Sequence, residues 1–159
     1  MPNLQDQLLH TLPAEAYGLV VVFGRFEYAM KQEGFRQRDK AQAAWERFAD
    51  SMPADFFEKM AADKHAKAIF LAPPKYLVPK AEGKVGWSDP LPIPNSNTSL
   101  FNCVKTVRNN LLHGDKHIGR QRDTDLISAS LYILNSAYES VSNDEAFLSF
   151  VERLRHDLD

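Results

Sequence analysis

Apolar residues recur along this chain at intervals of three and four and almost nowhere at intervals of two. The cleanest case is Leu100, Val104, Val107 and Leu111, a stripe along one face of a helix over about 98–112. A first long helix is expected over about 14–33, with Tyr17, Val20, Val21, Phe23 and Tyr28 available for burial and Gly34 placed to stop it. A second is expected over 39–49, where Asp39 can accept from the free amides of the first turn and Trp45 and Phe48 share a face. A third starts near Pro53, a residue tolerated at the first helical position, and extends towards Phe70. After Asp123, another apt cap, Leu126, Ile127, Leu131, Leu134, Tyr138 and Val141 mark a further helix, and Phe147, Val151, Leu154 and Leu158 mark a last one over 145–158. The expected fold is therefore all-α, an antiparallel helix bundle.

Residues 72–97 break this pattern. Pro73, Pro74, Pro79, Pro90, Pro92 and Pro94, with Gly83 and Gly86 among them, remove amide donors and restrict the residues before them, which disfavours helix and central strand alike. A long loop is expected immediately before the 98–112 helix, tied down by Trp87, Leu91 and Ile93; the pattern admits a short hairpin around Gly83 without demanding one. Loops of this length inside a small domain are often functional.

The 159 residues fit one domain, with 72–97 inside it. Composition is that of an ordinary globule, 44% hydrophobic and 25% charged. The longest apolar runs, such as Leu19 to Phe23, are too short to cross a bilayer, so no membrane role is expected. The opening Met-Pro-Asn-Leu-Gln-Asp lacks the marks of a secretory signal, and Cys103 is the sole cysteine, so a reduced, cytoplasmic setting is expected. The net charge of −2 argues against a general nucleic-acid coat protein. The charge is uneven, however: Lys105, Arg108, Lys116, Arg120 and Arg122 face only Asp115 between 101 and 122, and the stretch from Asp123 onward is strongly acidic. Local positive charge can hold a phosphate backbone under a slightly negative total, although most such patches are ordinary solvated faces.

The stretch Val107-Arg108-Asn109-Asn110-Leu111-Leu112-His113-Gly114 carries the candidate chemistry. Lys105, Asn109 and His113 are spaced by four and share a helix face, with Arg108 offset by about 100°. This places a lysine, an arginine, an amide and an imidazole opposite the apolar stripe. Such a set suits a phosphodiester, with cations for charge, imidazole for proton transfer and an amide to orient it. Spacing alone is weak evidence, since a histidine near a helix end often only caps carbonyls. Gly114 sits where a left-handed cap would end the helix. His113 and His117 are spaced as metal ligands would be on a helix, but Gly114 interrupts it and no third firm ligand is evident, so no metal is expected. Arg25 and Glu27 could support the arginine or form a surface ion pair, and Lys105 and Lys116 are candidate phosphate contacts or plain surface lysines.

Arg108-Asn109-Asn110-Leu111-Leu112-His113 resembles the Arg-polar-x-x-x-His motif of HEPN domains. The run from Phe101 to Lys116 is similar to the motif helix of HEPN proteins of bacterial defence and toxin-like systems. Further likeness lies in Phe23 to Lys31 and in the helix from Asp123 to Tyr138, so the resemblance covers about half of the chain. It implies a HEPN-type bundle, homodimerisation with two motif helices meeting in one cleft, and metal-independent endoribonuclease activity without a cofactor. By position it makes Arg108 and His113 the catalytic pair, Asn109 their polar support, and RNA the substrate. It further implies a toxin or antiviral-defence effector controlled by an inhibitory or activating partner protein. The alternative within the family is a non-catalytic module that binds nucleotide or protein. In one toxin subgroup a tyrosine two residues after the histidine is modified by a partner nucleotidyltransferase; here that position is Asp115, so this route of control is not expected. An all-helical DNA-binding regulator is a weaker reading, because no recognition-helix unit stands out.

Overall fold

The structure, a computed structural model, describes residues 3–113 and 120–158. Among them are eight α-helices and one two-stranded hairpin. Helix α1 (Leu4–Leu9) was not expected: Asn3 accepts the Asp6 amide at 2.8 Å to start it, and it buries none of its residues. Helix α2 (Ala14–Gln32) matches the expected first helix, and Gly34 beyond its end has φ +86, as the stop requires. The buried face differs from expectation. Ala16, Leu19, Phe23, Phe26 and Met30 point inward, whereas Tyr17, Val20 and Val21 face outward. The run from Leu19 to Phe23 is apolar all round the helix, and only the stripe that Phe26 and Met30 continue spans its full length. Gly18 sits at a close approach to the partner helix: a Cβ there would stand 2.9 Å from a Leu131 methyl.

The expected 39–49 helix begins later, as α3 (Trp45–Ser51). Asp39 does not cap it but sits in a left-handed turn with φ 60. Residues 35–44 instead run out and back, with the Ala44 amide donating to Phe35 O at 2.7 Å and Gln37 to Gln42 O at 2.9 Å. The expected 53–70 helix is split into α4 (Phe56–Ala62) and α5 (Lys67–Leu71). Asp63 makes the break: its backbone is extended, and its carboxylate accepts from the His65 amide at 2.8 Å and from the Tyr132 hydroxyl at 2.7 Å.

In the Pro-rich segment, β1 (Leu77–Pro79) and β2 (Val85–Trp87) pair antiparallel, with Val78 opposite Gly86. The turn between them uses Glu82 (φ 60) and Gly83 (φ 70), so the hairpin the sequence only admitted is formed. Helix α6 (Asn97–Leu112) starts at Ser96, whose hydroxyl accepts from the Ser99 amide, and buries Leu100, Phe101, Val104 and Val107. Helix α7 (Gln121–Val141) begins before Asp123, which is buried in its first turn rather than capping it. The expected 145–158 helix is shorter: a 3-10 turn (Glu145–Phe147) opened by Asp144 leads into α8 (Leu148–Leu154).

Helix α2 packs against α7 and α8, and α6 lies between α3 and α7. One continuous buried cluster draws on α2 through α8. Phe48 is at its aromatic centre, with ring centroids 5.1 Å from Phe150 and 5.4 Å from Phe101. The fold is mainly α, and no helix of the described residues is long and apolar enough to cross a membrane.

Candidate functional site

Burial of Val104 and Val107 against α2, α3 and α7 turns the opposite edge of α6 to solvent at its C-terminal half. Lys105, Asn109 and His113 stand along that edge, one turn apart, as their spacing predicts. They line an open depression of about 560 Å³ together with Asn102, Thr106, Asn110, Tyr76 and Leu77. His113 closes the helix: its amide donates to Asn109 O at 3.0 Å, and its side chain is exposed. No lining residue is acidic. An imidazole, an ammonium and several amides around an open bowl can bind an anion and move a proton at it.

Arg108 departs from the expected arrangement. Its guanidinium is not in the lining of this depression but lies over the Phe23 ring of α2, 4.8 Å from the centroid. One of its terminal nitrogens donates to Asn109 Oδ1 at 3.1 Å, and its Nε is buried without a partner. The offset of one helical position is enough to turn it towards α2. Asn109 was expected to orient the imidazole; its oxygen holds the arginine instead. A single chain thus brings Lys105, Asn109 and His113 together and keeps Arg108 to one side.

The wall opposite α6 comes from the Pro-rich segment, through Tyr76 and Leu77, neither of which the sequence pattern singled out. Asn110 donates to Lys75 O at 2.9 Å, and Arg122 donates to Pro73 O at 3.0 Å, so α6 and α7 each pin the start of the segment. Tyr76 and Ser88 bond twice across the base of the hairpin, at 2.8 and 2.9 Å. These anchors hold the half-exposed Tyr76 in the lining of the depression that His113 also borders. Non-local hydrogen bonds that involve side chains carry this placement, and no local pattern announces them.

Lys105 also lines a second open depression, of about 550 Å³, with Arg36, Arg38, Glu46 and Arg47. Arg25 and Glu27 do not support Arg108. Arg25 lies 5.9 Å from the Tyr28 ring, and Glu27 accepts from the Trp45 indole at 3.3 Å. Gly114, Asp115, Lys116 and His117 lie outside the described residues, and with them the expected cap, one phosphate contact and the second histidine. Among the described residues no group of three or more His, Cys, Asp or Glu side chains is placed to hold a metal ion. No protein-family model, curated protein or solved structure matches the chain.

Proposed function

We propose that the chain is a HEPN-type endoribonuclease that cuts RNA without a metal ion, with His113 and Arg108 as its catalytic pair and a second copy completing the site. The observation that carries this reading is the exposed imidazole of His113 in an acid-free bowl beside Lys105 and Asn109. RNA brings its own nucleophile. A base takes the proton of the 2′-hydroxyl, that oxygen bonds to phosphorus, and the 5′-oxygen departs with a proton. The products are a 2′,3′-cyclic phosphate and a free 5′-hydroxyl. Imidazole serves as base or acid near neutral pH, and a guanidinium matches the charge gathering on the phosphorane. Because Arg108 of the same chain stands outside the bowl, the pair acts when a second copy brings its own Arg108 to this imidazole. Uncontrolled RNA cleavage harms a cell, which fits a toxin or antiviral-defence effector governed by a partner protein.

Cleavage of single-stranded RNA in EDTA tests this. The expected result is undiminished cutting to cyclic-phosphate ends, with DNA left intact and the His113→Ala rate lower by about 10²–10⁴-fold. Complete inhibition by EDTA that a divalent ion reverses excludes the mechanism. A second reading has its own observation: the Arg108 stack on Phe23 and its bond to Asn109 also describe a residue that only fastens α6 to α2. In that case the chain is a non-catalytic HEPN module for nucleotide or protein, and His113→Ala changes no RNA.

A further inference from the structure

We infer that Arg36, Arg38, Arg47 and Lys105 form a track for the phosphates of single-stranded RNA, which leads the strand to His113 and Tyr76; the inference rests on the ribonuclease reading. The two open depressions share Lys105, so they are parts of one continuous surface. At the far end, the paired backbone of residues 35–44 sets the arginines. Phe35 is packed into the aromatic core, 5.8 Å from Phe48, which leaves Arg36 and Arg38 exposed at the rim. Arg47 of α3 donates to Arg36 O at 3.1 Å, which ties two cations together without neutralising either. Glu46 is the one acid in that lining, and among the described residues no ion pair joins any of the four cations to a carboxylate. Four cations against one acid leave a net positive channel in a chain whose total charge is −2.

Length and shape select the ligand. Lys105 and His113 are eight residues apart on one helix edge, roughly 12 Å at the α-helical rise. A mononucleotide at the imidazole does not also reach the arginines beyond Lys105, whereas a strand does. Tyr76 lines the same depression as Lys105 and His113, with 46% of its surface open. A ring at that place stacks on an unpaired base, and bases in a duplex do not offer their faces. The row of cations, the imidazole and the ring therefore fit a single strand.

The test is fluorescence anisotropy with a labelled single-stranded RNA of about 12 nucleotides and its duplex, in a His113→Ala background so that the probe stays whole. Arg36→Ala with Arg38→Ala should weaken binding at least about tenfold and lower the slope of log K against log salt by about 0.7 for each phosphate that is no longer neutralised. Tyr76→Ala should cost about tenfold with the salt slope kept. Lys59→Ala, on an exposed residue of α4 paired with Asp55, should change nothing. No binding by the His113→Ala parent, groove variants within about twofold of it at the same slope, or equal affinity for the duplex each overturn the track. The two proposals fail separately. Groove-dependent binding without cleavage by the natural sequence removes the ribonuclease reading; cleavage that ignores the arginines removes the track.

Discussion

Cys103 shows how far burial acts on one residue. It lies on the inner side of α6 at 6% exposure, and burial pushes its thiol up to about 11. The thiolate is the reactive form, so the native protein should leave a thiol reagent untouched at pH 8 and react at once on denaturation. Labelling of the folded chain at the rate of a free thiol contradicts this placement. The same helix tells what single residues reveal in sequence. Lys105, Asn109 and His113 lie on one edge because a spacing of four is a local property of any helix. Arg108 was equally visible as a residue, but its direction depends on Phe23, 85 positions away in the chain by their numbers. Tyr76 is not legible for the same reason, since side chains of α6 and α7 fix the start of its segment, while Arg36 and Arg38 are set by the irregular pairing of residues 35–44, which no periodic pattern marks.

At the scale of elements, α2 and α6 were legible because each carries a long apolar stripe, with Gly34 marking the end of α2; the Ser96 cap that starts α6 comes from the structure alone. The stretches 39–49 and 53–70 misled because Asp39 and Asp63 can each serve a helix or a turn, and packing chose the turn. Asp63 makes the choice measurable. The Tyr132 hydroxyl chiefly, and the His65 amide after it, hold its carboxyl below the ordinary 3.8. A carboxylate depressed in the folded state adds stability above its ordinary value, and that contribution is lost as pH falls below 3.8 through the lowered one. Tyr132→Phe should therefore move the Asp63 titration up towards 3.8 and bring acid unfolding to a higher pH. A carboxyl-resolved NMR titration without that upward movement refutes the Tyr132–Asp63 link between α7 and the α4–α5 break. The Pro-rich hairpin belongs here as well. Its prolines announced an absence of helix, but Asn110 and Arg122 decide where it sits.

For the molecule as a whole, a mainly helical fold followed from the intervals of three and four, and the eight helices among the described residues bear that out. On the proposed reading, function depends on how two copies and their charges meet. One chain offers an imidazole in an open bowl and an arginine turned aside from it. In the proposed dimer a second copy closes that gap. Mixing separately purified Arg108→Ala and His113→Ala chains tests this most directly, because each variant keeps the group the other lacks. Each alone should leave RNA intact, and the mixture should regain cleavage through dimers that join one intact arginine to one intact histidine. A mixture as inactive as its components, under conditions where subunits exchange and the natural sequence cuts RNA, contradicts a site shared between chains.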